Sequence, residues 1–299
     1  LNTHPIKQHY IPQFYLKKFS LNKKNFFKLD KTTNEILNNI SIRTTAQEKK
    51  FYDISFKKVQ IKKSFFQKYL KEDNNIYIEK EDNIIITLEY WFAKLESLIA
   101  NNYNNILINN NYSLSYKSKE ILSMLCSLLL NRGIQSRFLF NKKVYKKIYS
   151  KNLKKYIYPL PNENKHLFYQ KLKKLSWFMA FIDGIGFAQS ILLKKTFQIL
   201  TIDPLSINSL CTSDNPIVFY NTKAPNLPLG ISTPHTQIYL SLSPYKVLRI
   251  FNPNEYPIIQ ETLKDEDITL INKLYYQQSK KYIFSRDYNS LLSLKNLNK

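Results

Sequence analysis

Apolar residues recur along this chain at two spacings, and the switches between them mark out its elements. In "FFKLDKTTNEILNNIS", two short alternating segments flank Lys31, Thr32, Thr33 and Asn34, which predicts a hairpin whose first strand ends at Asp30. From Thr87 the period lengthens. Leu88, Trp91, Phe92, Leu95, Leu98 and Ile99 share one side of a helical repeat, predicting an amphipathic helix over 87–108. Further helices are expected over 115–130 and 135–150, interrupted near Gly133. "YPLPNENKH" at 158–166 breaks the pattern, and another helix is expected over 167–200, loosened at "DGIG".

Beyond residue 200 the helical period is lost. Eight of the twelve prolines fall between Pro204 and Pro257, interleaved with "PIVFYN", "TQIYLSLS" and "KVLRIF", so short strands joined by proline turns are expected there. Asp265, Glu266 and Asp267 then precede Ile268, Ile271, Leu274 and Tyr275, which places negative charge at the positive end of a helix. "KKYIFS" reads as a closing strand. The order predicts an α+β fold with an N-terminal hairpin, a helical middle at about 87–200, and C-terminal short strands with a closing helix and strand. No fixed-period repeat interrupts it, and a single domain over 1–299 is expected.

Composition adds a strong charge. With 43% hydrophobic and 14% aromatic residues the chain has the apolar content of a folded protein. It contains no run of eighteen apolar residues; "ILSMLCSLLLNRG" is shorter and reads as a buried helix. The charged, aromatic start does not resemble a signal peptide, so a cytoplasmic protein with no membrane partner is expected. Cys126 and Cys211 stand far apart, which suits neither a disulfide framework nor a zinc finger. The net charge of +23 would attract RNA or DNA. AT-rich coding also enriches lysine, yet it would have raised Asp and Glu too, so two explanations stay open. The five arginines, Arg43, Arg132, Arg137, Arg249 and Arg286, are positions where a planar fork is needed for bidentate contact, or where a helix end or a carboxylate needs a partner.

Four glycines, Gly133, Gly184, Gly186 and Gly230, cannot write a P-loop or a dinucleotide fingerprint. No G-x-S-x-G elbow is present, and His4, His9, His166 and His235 form no H-x-x-x-H pair. No Arg precedes a His at the five-residue spacing of the HEPN ribonucleases. What remains is a constellation. "CTSDNPIVFYN" puts Ser213, Asp214 and Asn215 before a proline and a strand, where Asp214 would act as a metal ligand or base, or serve as an ordinary turn residue accepting backbone N–H bonds. Glu89 and Glu96 flank the apolar stripe of their helix, a position that can raise a carboxyl pKa by desolvation; glutamates so placed more often pair with lysines. Asp30, Glu48 and Lys50 weakly mimic the carboxylate-and-lysine spacing of metal-dependent nuclease cores, although Glu48 falls in a polar run.

Several stretches, taken in order, carry a resemblance: "HYIPQFYLKKFS" at 9–20, "FYD" at 51–53, "LEYWFAKLES", "TSDNP" at 212–216, "LSLSP" and "KKYIFSRD". Together they resemble the uncharacterised bacterial domain-of-unknown-function family 4238 over nearly the whole chain. The resemblance implies one domain with a helical middle between β-containing ends, and implies no activity. Its two most distinctive segments, the opening stretch and "TSDNP", each join a proline to polar groups and are expected to meet in space.

The expected site is a cleft where His9, Gln13 and Asp214 converge with Glu89, Glu96 and Arg132. His9 would be a general acid or metal ligand, Asp214 a base or ligand for Mg²⁺ or Mn²⁺, and Arg132 an oxyanion or phosphate clamp. Gln13, Arg137, Ser213 and Asn215 would contact the substrate. Tyr10, Phe14 and Tyr15 would stack on bases, or anchor the N-terminal segment in the core. Two functions fit: hydrolysis or modification of nucleic acid in bacterial defence, or a non-catalytic module that binds nucleic acid or another protein.

Overall fold

A computed structural model describes residues 6–69, 77–80, 82–108, 114–133, 151–221, 223, 229–258 and 262–296. The expected helix at 135–150, with Arg137, lies outside the described residues. The fold is α+β, with several small antiparallel sheets and helices between and after them. Its contacts divide the chain into two compact units: Leu1–Tyr10, Gln47–Leu98 and Ile134–Gly184 in one, Ile11–Ala46, Ile99–Gly133 and Ile185–Lys299 in the other.

In the first unit, Lys7–His9 pairs antiparallel with Gln47–Lys49, so Glu48, expected in an irregular polar run, sits on a strand opposite Gln8. A three-stranded sheet sets Asn83–Thr87 between Asp53–Lys57 and Tyr77–Lys80. The core of this unit holds an aromatic cluster. Tyr52 meets Phe92 at 4.6 Å between ring centroids and Trp177 at 6.1 Å, and Phe181 meets Phe92 at 5.2 Å, mostly edge to face as ring quadrupoles prefer. Buried Gln8 fixes the neighbouring backbone: its amide donates to Asp53 Oδ1 at 2.6 Å and its oxygen accepts from the Tyr52 N–H at 2.6 Å. The "FYD" stretch is therefore two core rings and a hydrogen-bonded carboxylate.

In the second unit, the expected hairpin is Asn25–Asp30 with Glu35–Ser41. Asp30 Oδ1 accepts from the Thr32 N–H at 2.9 Å, and Asn34 takes the left-handed conformation that asparagine tolerates well (φ 56°). This hairpin joins a four-stranded sheet in the order Glu35–Ser41, Asn25–Asp30, Tyr282–Ser285, Thr212–Ser213. A second sheet runs Val218–Tyr220, Gln237–Ser243, Lys246–Phe251, Thr196–Thr201. The helix Asp265–Gln278 buries Ile268, Ile271, Leu274 and Tyr275, the stripe its spacing predicts, with its three acidic residues in the first turn.

The helix Glu89–Ile108 and the helix Tyr116–Arg132, whose Ser115 cap accepts from the Ser118 N–H at 3.2 Å, occur as expected. The last long helix departs from expectation. It runs Lys165–Leu192 without loosening at "DGIG", and it stops eight residues early because Thr196–Thr201 pairs as a strand with Lys246–Phe251. It is long and apolar enough to cross a membrane, but half of its most apolar stretch is buried inside the protein. A terminal helix, Tyr288–Asn296, follows the strand expected to close the fold.

Phe92→Ala should destabilise the protein by about 3–5 kcal/mol, because the ring is fully buried among aromatic neighbours that cannot collapse onto the gap. Urea unfolding checks this; a loss below about 1 kcal/mol would show that the cluster is loosely packed.

Candidate functional site

The opening segment and "TSDNP" meet inside the second unit. The Tyr15 hydroxyl lies 2.7 Å from Thr212 Oγ1 and donates to the Ser241 carbonyl at 2.9 Å. A phenol has one proton, so Thr212 is the donor in the first of these bonds. Tyr15 and Thr212 are both fully buried. Desolvation first, then the neighbouring Tyr275 and Tyr103 hydroxyls, push the Tyr15 pKa upward. The contact is a sealed polar junction within the core.

Helix Asp265–Gln278 explains why the chain can bury so irregular a stretch as 209–219. Asn272, Tyr275 and Gln278 follow one another at intervals of three on its face. Asn272 accepts from the Cys211 N–H at 2.8 Å and donates to the Ser209 carbonyl at 2.9 Å. Tyr275 donates to the Pro216 carbonyl at 3.0 Å and accepts from the Ser241 N–H at 2.7 Å. Gln278 accepts from the Phe219 N–H at 2.9 Å and donates to the Phe219 carbonyl at 2.7 Å. Backbone groups that a proline-bearing segment leaves outside a sheet thereby find side-chain partners. The apolar spacing of this helix was visible in the sequence; its polar face carried no signal of what it would bind.

Asp214 belongs to the same fastening. Its Oδ1 accepts from the Lys280 N–H at 2.8 Å, and its Oδ2 from the Lys281 and Tyr282 N–H groups at 2.7 and 3.0 Å. Burial pushes its carboxyl pKa up, and the three backbone donors pull against that rise. Ser213 Oγ accepts from the Asn215 N–H at 3.1 Å and donates to the Asn215 carbonyl at 2.8 Å, a local turn, while the Asn215 amide donates to the Gln278 carbonyl at 3.1 Å.

Of the other expected site residues, Gln13 and Arg132 belong to the second unit, where Arg132 is fully buried. His9, Glu89 and Glu96 belong to the first: His9 is half-buried on a strand facing Gln47, Glu89 opens its helix, and Glu96 is half-buried two turns later. Cys126 and Cys211 are buried thiols whose pKa values burial drives upward, to about 12 for Cys211. Among the described residues, no three His, Cys, Asp or Glu side chains gather as a metal site.

The second unit also holds an open hollow of about 480 Å³, lined by Phe14, Lys17, Lys18, Ser20, Leu21 and Lys23 from the opening segment and by Ala100, Tyr103 and Asn104 from the long helix. Phe14 sets its ring edge against Tyr103 at 5.7 Å. Lys18 donates to Asn104 Oδ1 at 2.5 Å and lies 5.8 Å from the Tyr103 ring centre. Partial burial, followed by the nearby Lys23 cation, holds the Lys18 pKa below the ordinary lysine range. Among the described residues, three lysines and no carboxylate line this hollow. The sequence displayed the lysines and the aromatics, but their partners are some eighty residues away, where Ala100, Tyr103 and Asn104 share one helix face.

Asp214→Ala should cost about 2–4 kcal/mol in urea unfolding, because three partly buried backbone N–H groups lose their acceptor together. Tyr15→Phe should cost about 1–2 kcal/mol by removing the hydroxyl between Thr212 and Ser241. Stability unchanged in both variants would contradict a fastening role for this segment.

A family model described as "protein of unknown function (DUF4238)" matches residues 7–289. No curated protein and no solved structure matches the chain.

Proposed function

We propose that this chain, which belongs to the DUF4238 family, binds single-stranded RNA or DNA through the lysine-lined hollow at residues 14–23 and 100–104. The observation that carries this reading is the hollow's one-signed lining. Lys17, Lys18 and Lys23 surround a space beside a half-buried aromatic ring, in a protein whose net charge is +23. Phosphates would neutralise the lysines and release counterions, while one base would lie against Phe14. The lowered pKa of Lys18 supports the same reading, since a cation crowded by another cation and partly desolvated gains most from an arriving anion.

Hydrolysis or modification of the bound strand, with Mg²⁺ or Mn²⁺ and a role in defence, is the second reading. Its base or metal ligand would be Asp214, whose oxygens already accept three backbone N–H bonds, so binding without catalysis is preferred. Strand cleavage in the presence of either metal, lost in a folded Asp214→Asn variant that still binds, would reverse that preference.

Replacing Lys17, Lys18 and Lys23 with Gln should lower the slope of log K against log salt for a labelled single strand by about 2, at about 0.7 per phosphate contact. Fluorescence anisotropy at several salt concentrations measures it, and an unchanged slope would place binding elsewhere. Because bound phosphate restores the charged form of Lys18, binding takes up protons on the alkaline side, and affinity should weaken as pH rises toward the ordinary lysine pKa of about 10.

A further inference from the structure

A second cavity of about 440 Å³ opens elsewhere in the second unit, and its surroundings are unusually well built. The loop from Ile202 to Leu210 forms one wall. Pro204 has no N–H, and every other backbone N–H in this stretch reaches an acceptor at 2.8–3.4 Å. Ile202 donates to the Tyr245 carbonyl, Asp203 to Leu263, Ser206 to Asp203, and Leu210 to Pro244. Leu205 donates to Asp203 Oδ1, Ile207 and Asn208 to the Asp265 carboxylate, and Ser209 to Ser290 Oγ. This fully fastened loop nevertheless holds Leu205 89% and Ile207 82% exposed. A loop free to rearrange would tuck such side chains away; one fixed at every N–H cannot, and exposed apolar groups beside a cavity mark a binding site.

The charged groups are equally specific. Arg286 lines the cavity with its guanidinium 5.6 Å from the Tyr245 ring centre, and among the described residues it donates no hydrogen bond to protein. Asp287 beside it spends both oxygens on the start of the following helix, accepting from the Asn289 and Ser290 N–H groups and the Ser290 hydroxyl at 2.6–3.1 Å. Asp203 gives one oxygen to its own loop, and the other accepts from no protein donor among the described residues. A simple anion entering here meets two carboxylates, and a simple cation meets Arg286. A ligand carrying both charges satisfies the lining. The volume lies toward the lower end of the range of about 300–1,000 Å³ typical of small-molecule sites.

We propose that this cavity binds a free α-amino acid with an apolar side chain. Arg286 takes the carboxylate with its planar fork, Asp203 takes the ammonium group, and Ile207 covers the side chain. Nothing in this assignment depends on nucleic-acid binding at the lysine-lined hollow.

Isothermal titration of the full chain with L-leucine, L-isoleucine, L-valine, L-methionine and L-phenylalanine tests it. At least one should bind with a Kd below about 1 mM. N-acetyl and decarboxylated forms of the same ligand should bind at least about tenfold more weakly, since each lacks one of the two charges. Arg286→Lys and Asp203→Asn should each weaken binding by about tenfold or more at unchanged Tm; the asparagine keeps the oxygen that holds Leu205. Absence of binding by all five amino acids would overturn the proposal, as would analogues that bind as tightly as the parent. The analogue series uses the unaltered protein, so the result stands even if a variant misfolds.

Discussion

The second unit depends on satisfying the backbone of one irregular stretch, residues 209–219. Pro216 and the short pairing at Thr212–Ser213 leave this stretch without a continuous ladder, yet most of it is buried. Unpaired backbone groups in such a place cost about as much as lost hydrogen bonds. Side chains on the face of the helix Asp265–Gln278 supply the partners, while Asp214 in turn accepts from the backbone of residues 280–282 and Thr212 bonds the Tyr15 hydroxyl. The charged and polar residues that make "TSDNP" conspicuous are thus occupied with folding. The same is true of Asp53 in the first unit, where Gln8 holds the "FYD" stretch in place.

This use of polar groups leaves little of "TSDNP" for chemistry. A carboxylate that already receives three backbone N–H bonds is poorly placed to abstract a proton or hold a cation. The groups left facing open space are of another kind: lysines around one hollow, and a guanidinium with a carboxylate around another. The second hollow lies beside a loop whose backbone N–H groups all reach acceptors, so its side chains are presented from a fixed support. That arrangement supports the proposed binding role.

The sequence made the local features legible. The hairpin at 25–41 follows from alternation around a turn, and the start of the helix at Asp265 follows from an acidic first turn. Longer-range features were hidden. The strand Gln47–Lys49 is wholly polar and exists because Lys7–His9 pairs with it from some forty residues away. The strand Thr196–Thr201 continues the apolar run of the preceding helix, and only pairing with Lys246–Phe251 distinguishes it. The meeting of the opening segment with residue 212 was anticipated from two proline-bearing stretches. That it would form as a sealed Tyr15 to Thr212 junction was not, since spacing says nothing of which polar groups a core will consume. Arg286 was singled out in the sequence, but its cavity depends on a loop held by Asp265 and Ser290, which no local pattern announces.

The central claim is that the lysine-lined hollow, and no acidic cluster, is where this protein meets its partner. Ultraviolet crosslinking of a single-stranded oligonucleotide to the full chain, followed by mass spectrometric mapping, tests it most directly. The account predicts that modified peptides contain Phe14 or the region around Tyr103. Crosslinks confined to peptides around Asp214, His9 or Glu89, or no crosslinks under low-salt conditions, would contradict it.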